Sequence, residues 1–305
     1  MMRIFVVVGA LFLAQLSFAQ KAEVAFRIPE KELIPEGITY DPASKSFFVS
    51  SIARRKIVKA DERKKITDFV SSVQDGIGEV LGMKVRDGKL WACSNLEGLS
   101  MVHQYNITSG KLIKKWILEF SVERHLFNDL AVTSSEDVFI SDSDNGAIFH
   151  ISPQLDKPEL WLKDDRLRDI NGIALLKDGS LVVNASMGFF KINIQTKEIA
   201  TLPFPGYYPM FIDGLSAYDQ SMIGIQNVIF PASINRYYLN SSLDKIEKAI
   251  VLVANHPLFE IPTTGTIVDD WFYFVGNSQL QNYEKGKFKD PAKLREVVIM
   301  RVRLE

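Results

Sequence analysis

Cysteine is nearly absent: Cys93 stands alone in 305 residues, so no intramolecular disulfide can form and the fold is held by its core and by any bound metal. Cys93 lies in the apolar run Leu90-Trp91-Ala92-Cys93, the setting of a buried, inert thiol. Charge of one sign is also missing. The 36 Lys and Arg balance the 37 Asp and Glu to a net −1, which gives no reason to expect nucleic acid or an anionic membrane as a partner. Two basic groups, Arg54-Arg55-Lys56 and Arg63-Lys64-Lys65, are separated by Asp61-Glu62 and read as solvated faces. There is no Gly-rich phosphate loop, no paired-cysteine metal motif and no nucleophile elbow, which removes nucleotide, zinc-finger and serine-hydrolase chemistry from consideration. Helical spacing is lacking throughout the body of the chain.

The long hydrophobic runs are confined to the start. Met1-Met2-Arg3 is a short basic opening, Ile4 to Leu13 is apolar, and Ser17-Phe18-Ala19 has the small-x-small form of a cleavage site. Gln15 and Ser17 interrupt the run before the roughly 20 apolar residues that a membrane-spanning helix needs. Residues 1–19 are therefore expected to be a signal peptide. The mature protein, residues 20–305, is expected to be exported to the periplasm or secreted, with no stable membrane anchor.

What fills the remainder is repetition. Six segments share one grammar: a Gly or Asp, an apolar-alternating run, a polar turn, and a second apolar run ending in small polar residues. They are Gly37–Ser51, Gly82–Asn95, Asp129–Ser143, Gly172–Ser186, Gly214–Asn227 and Gly265–Asn277, and their starts recur every 42 to 51 residues. That period is the length of a four-stranded propeller blade of about 40–50 residues. The turns Asp87-Gly88 and Asp178-Gly179 carry hairpin chemistry. The expectation is an all-β, six-bladed β-propeller. Its last blade is expected to be closed by the C-terminal run Glu296–Arg303 as third strand and the N-terminal run Ala22–Ile28 as outer strand, which hides edges that would otherwise invite aggregation.

In such a fold the residue before each inner strand points into the central tunnel at one face. By register these residues are Glu36, Leu81, Asn128, Asn171, Asp213 and Thr264. Two carboxylates and two carboxamides thus converge on one axis. Two buried carboxylates repel unless something neutralises them, and a hard, all-oxygen set of this kind suits one divalent metal ion. Calcium fits best, with zinc, manganese or magnesium as alternatives. Taken singly, Asn-Gly and Asp-Gly are common turn pairs; the repeat register makes them a set.

The motifs Pro35-Glu36-Gly37, Phe127-Asn128-Asp129, Ile170-Asn171-Gly172 and Asp213-Gly214 resemble those of the family of senescence marker protein 30, gluconolactonases and luciferin-regenerating enzymes. Paraoxonases and diisopropyl-fluorophosphatase are more distant relatives. The resemblance spans nearly all of the mature chain. It implies that Glu36, Asn171 and Asp213 bind a catalytic divalent metal, that Asn128 is a further ligand or a substrate contact, and that the substrate is a small-molecule lactone or related ester. Three positions depart from the family. Leu126 stands where sugar-lactone members have an Arg, which argues against aldonolactone specificity. Gly37 and Gly214 stand where paraoxonases have an acidic residue and an Asn, which argues for one metal rather than two.

A hydrolase of this kind polarises the carbonyl at the metal and needs a base for water. Asp213 is the first candidate, with His125, on the connection before Asn128, and water acidified by the cation as alternatives. His256 lies on a similar connection, whereas His150 and His103 lie in strands and read as structural. The second strands return to the same face and end in Ser51, Asn95, Ser143, Ser186, Asn227 and Asn277; among these Ser143, Ser186 and Asn227, with Asn128, are the candidate substrate contacts. The aromatic connection Phe204–Phe211 is expected to wall the pocket or to pack between blades. The alternative to a hydrolase is a propeller that binds a ligand or protein and keeps the metal for structure only.

Overall fold

The computed structural model describes residues 22–206 and 211–305. The proposed signal peptide lies outside the described residues, as does the middle of the Phe204–Phe211 connection. Within them the protein is all-β, and its few helical turns are single 3₁₀ turns of three residues. Six four-stranded antiparallel sheets are arranged as the blades of a propeller. Their inner strands are Ile38–Asp41, Glu79–Arg86, Phe127–Val132, Ile173–Leu175, Ile212–Tyr218 and Gly265–Val268, one for each repeat read from the sequence.

Blade six closes the ring as expected. Its order is Gly265–Val268, Trp271–Val275, Val297–Arg303 and, outermost, Glu23–Ile28. The closing pair is antiparallel, with Glu23 opposite Arg301 and their side chains joined at 2.7 Å. The C-terminal strand therefore has a partner on each side, one of them from the opposite end of the chain.

The core is divided as the blades are. Six apolar clusters lie one at each junction between neighbouring blades: Trp91, Trp116, Phe127 and Ile140 between blades two and three, for example, and Phe26, Phe47, Ile38 and Val275 between blades six and one. Cys93 is fully buried in the first of these, where desolvation holds its thiol well above the ordinary range, so it is inert. The alternation of the strands is satisfied on both faces, because every blade is sandwiched.

Each inner strand starts at what we term the upper face and runs down the tunnel; each second strand returns to it. The glycines at the heads of the inner strands are explained by crowding around the axis. A Cβ at residue 37 would lie 2.2 Å from the Leu81 carbonyl oxygen, one at 82 would lie 2.6 Å from that of Asn128, one at 172 would lie 2.7 Å from that of Asp213, and one at 214 would lie 2.6 Å from the Thr264 Cα. None of these four adopts a positive φ. The repeated dipeptides are thus not turns: their glycines let one blade's backbone touch the next.

The polar stretch after Asn277 is more than a connection. Between the second and third strands of blade six, residues 279–295 form a 3₁₀ turn, a short hairpin (Tyr283–Glu284 with Lys287–Phe288) and a second 3₁₀ turn. Leu280, Tyr283, Phe288 and Leu294 from this insertion form a seventh apolar cluster with Ile34, Ile52, Leu81 and Leu126 on the upper face. Among the described residues no helix is long and apolar enough to cross a membrane.

Candidate functional site

Three of the inner strands carry a one-residue bulge at the tunnel position. Two residues between Val80 and Met83 oppose one between Ala92 and Ser94, and the same surplus recurs between Phe127 and Leu130 and between Ile212 and Leu215. The bulges fall on Leu81-Gly82, Asn128-Asp129 and Asp213-Gly214. An extra residue bends the strand and re-aims a side chain, which is how a residue in a pleated strand comes to face the axis.

The six tunnel residues form a ring whose members are linked blade to blade. Thr263 and Thr264 donate their hydroxyls to the Glu36 carbonyl, both at 2.7 Å, and Thr264 Oγ1 also accepts from the Ile38 amide. Ser50 Oγ accepts from the Glu36 and Gly37 amides. The Glu36 main chain is therefore fixed on both sides. Thr264, which offers no strong ligand, instead fastens blade six to blade one.

Asp213 is held by two amides. Asn227 Nδ2 donates to its Oδ2 at 2.6 Å and to the Pro262 carbonyl at 2.8 Å, and Asn171 donates a second side-chain hydrogen bond. Asn128 Nδ2 donates to Ser143 Oγ at 3.0 Å, whose hydroxyl donates in turn to the Ile170 carbonyl at 2.5 Å. With their amide hydrogens engaged, Asn128 and Asn171 each leave Oδ1 buried and without a partner, and so does Glu36 at Oε2. Three orphaned oxygens in one ring are unusual, since buried polar atoms are nearly always satisfied. They are hard donors carried by residues at the heads of inner strands, and residues of this kind fit a calcium-like cation.

Electrostatics point the same way. Burial first, and then Asp213 and Asp129, push the Glu36 carboxyl well above the usual range, with Lys84 opposing. Asp213 is raised to about 6 by burial, with Asn227 and Asn171 pulling it down and Asp129 pushing it up. The residue as a whole is half-buried. Asp129 and Lys84, which were not among the candidate residues, complete the tunnel: they pair at 3.1 Å with Asp129 almost fully buried. The tunnel thus sets three carboxylates against one ammonium. If all ionise, two negative charges are left over, the charge of one divalent cation.

Ser186 and the histidines make their contacts outside the ring. The Ser186 hydroxyl is used on the Arg168 carbonyl. His125 Nδ1 lies 2.6 Å from Asp142 Oδ2, with Phe120 and Phe149 against its ring, and it borders an upper-face cavity of about 730 Å³ shared with Asn95, Leu126 and Lys285. Glu36, Asn128, Asn171 and Asp213 do not line that cavity. His256 accepts from the Leu258 amide beside Phe259, and burial lowers its pKa. His103 is buried and lowered to about 3, and His150 pairs with Asp137 at 2.8 Å. Ser143 and Asn227, read from the sequence as substrate contacts, are seen to hold Asn128 and Asp213. Their position at strand ends revealed nearness to the ring but not which partner they face.

Fold and ring together define a six-bladed propeller with an oxygen-lined axial site. No protein-family model and no curated protein sequence matches the chain. Solved structures do. The chain is similar to a gluconolactonase from Xanthomonas campestris at 12% identity and TM-score 0.63, over 94% of this chain and 92% of that one. A luciferin-regenerating enzyme matches at 14% identity and TM-score 0.60, over 91% and 95%. A virginiamycin B lyase from Staphylococcus aureus matches at 11% identity and TM-score 0.61, over 93% and 99%. A lactonase and a lyase are both among these, so the likeness establishes the fold and leaves the chemistry to the site.

Proposed function

We propose that the protein is a metal-dependent hydrolase of a lactone or related ester. One divalent cation, calcium by preference, is held by Glu36, Asn128, Asn171 and Asp213. The observation that carries the reading is the trio of buried, unpartnered oxygens on Glu36, Asn128 and Asn171 beside the raised carboxyl of Asp213. The gluconolactonase and the luciferin-regenerating enzyme of the same fold support the lactone and ester class. With its signal peptide removed, the protein acts in the periplasm or outside the cell.

When bound, the cation supplies Lewis-acid polarisation of the substrate carbonyl. The chain's own residues do the rest. Asn227 and Asn171 hold the Asp213 carboxylate in one orientation, and Ser143 aims the Asn128 carboxamide. Asp213 accepts a proton from the water that adds to the carbonyl carbon. The ring or ester C–O bond then breaks, and the departing oxygen takes up a proton, giving a hydroxy acid or an acid and an alcohol. His125, the alternative base, is held by Asp142 at 2.6 Å but borders a cavity that Glu36, Asn128, Asn171 and Asp213 do not line, which favours Asp213.

The test is hydrolysis of a panel of sugar, aliphatic and aromatic lactones and aryl esters, with calcium and then with chelator, alongside thermal melting. Turnover that chelator abolishes and calcium restores is the expected result. Chelator-induced loss of melting temperature with no turnover on any substrate would favour a binding propeller with a structural metal. Indifference of both readouts to chelator and to calcium would overturn the metal.

A further inference from the structure

The ring is not covered evenly. Thr264, Glu36, Leu81 and Asn128, from blades six, one, two and three, are only 4–8% exposed, whereas Asn171 and Asp213, from blades four and five, are half-buried. The insertion at 279–295 explains the covered side. Its neck is tied by the paired Gln279 and Arg295, whose side chain and main chain exchange bonds of 2.8 and 3.0 Å, and by Glu260, which accepts from Arg295 and Gln281. From that neck Tyr283 and Phe288 pack with Ile34, Ile52, Leu81 and Leu126, so blades six, one and two are capped. Access to the axis is left over blades four and five.

The open side has an unusual composition. Among the described residues eleven large hydrophobics are exposed, and five of them lie on the upper connections of these two blades: Met187, Phe211, Val228, Ile229 and Phe230. Phe230 is 80% exposed and Met187 61%. Their chain positions tie them to the ring. Val228 directly follows Asn227, which holds Asp213; Phe211 is two residues before Asp213; and the Ile212 amide is anchored on Asn184 Oδ1 at 3.0 Å. Exposed apolar side chains on the connections that flank a polar site mark a place where apolar ligand surface can be taken out of water.

We infer that these five residues form an apolar lip seating an alkyl or aryl substituent of the substrate, so that the site takes lactones or esters with an apolar side group rather than polyhydroxylated sugar lactones. The inference rests on the hydrolase reading for the reacting end of the substrate and on the lip alone for the other end. Leu126 agrees with it: it lies in the apolar cap and offers no donor to a sugar hydroxyl.

The experiment uses the full mature protein supplied with calcium and γ-lactones bearing side chains from methyl to octyl, with gluconolactone for comparison. In parallel, binding of the matching γ-lactams, which resist hydrolysis, is measured by calorimetry. Both kcat/KM and lactam affinity are expected to rise with chain length, up to about fourfold per methylene, the ratio given by burying one CH₂. In an Ile229→Ser/Phe230→Ser variant, and separately in Met187→Ser should the first fold poorly, that slope is expected to flatten. Turnover that is flat with chain length, or that favours gluconolactone, would leave the hydrolase standing and overturn the lip. Chain-length-dependent lactam binding without turnover would leave the lip standing and overturn the hydrolase. Neither binding nor turnover would overturn both, and a slope that survives both variants would remove these residues from the lip.

Discussion

Replacing Asp213 by Asn separates a cation ligand from an ordinary buried acid, because the two roles give opposite signs. In the ion-free fold the Asp213 carboxyl rises from 3.8 to about 6, mainly through burial. A pKa raised by folding means that the penalty grows as pH climbs from the unfolded value through the folded one, and is complete above about 6. Two units at about 1.4 kcal/mol each amount to roughly 3 kcal/mol at neutral pH. Asn keeps an oxygen to accept from Asn227 and Asn171, and the charge lost from those bonds is already contained in the net rise. In chelator at pH 7 the variant should therefore be more stable than the wild type by roughly 3 kcal/mol, a melting shift of about 5 °C for a chain of this size. In millimolar calcium the order should invert, since binding to the folded state stabilises the wild type by mass action. Thermal melting of both proteins in both conditions is the assay. If the Asn variant is less stable by the same amount with and without calcium, Asp213 is a structural acceptor and the cation reasoning is refuted.

The remaining expectations concern the scaffold around it. Gly37→Ala should cost about 3 kcal/mol or more, because its Cβ would meet the Leu81 carbonyl at 2.2 Å and neither backbone can withdraw; urea unfolding checks it. Thr264→Val should cost about 1–3 kcal/mol and weaken calcium binding, since it removes an acceptor from the Ile38 amide and one of two hydroxyl donors to Glu36; paired urea and calorimetric titrations separate the effects. Deleting residues 296–305 should abolish soluble folding, because Val297–Arg303 pairs with both Glu23–Ile28 and Trp271–Val275; a soluble truncation that melts cooperatively would contradict the closure.

The architecture was legible because a propeller repeats its constraints. Four inner strands meet the same crowding against the next blade, so glycine recurs at Gly37, Gly82, Gly172 and Gly214, and the ring residue before it is found by register. The split last blade was readable from the two apolar runs left without partners. Other features were not. The bulges at Asn128-Asp129 and Asp213-Gly214 depend on strand pairing and leave no local pattern. Asp129, in the position that carries Gly elsewhere, read as the head of its strand, and its partner Lys84 is 45 residues away. Residues 279–295 read as polar because Leu280, Tyr283, Phe288 and Leu294 are scattered among charges, and only folding gathers them over Leu81 and Leu126. For the same reason Leu126 read only as the place of a missing sugar-lactone Arg, whereas in the fold it and Leu81 pack under the cap.

The central claim is that four oxygens from blades one, three, four and five share one cation. Anomalous diffraction from crystals of the mature protein grown with calcium or soaked with a lanthanide tests it most directly. A single peak is expected on the tunnel axis, about 2.4 Å from Glu36 Oε2, Asn128 Oδ1, Asn171 Oδ1 and an Asp213 carboxylate oxygen. A peak away from these four, or none in crystals that hold the ion elsewhere, would contradict it.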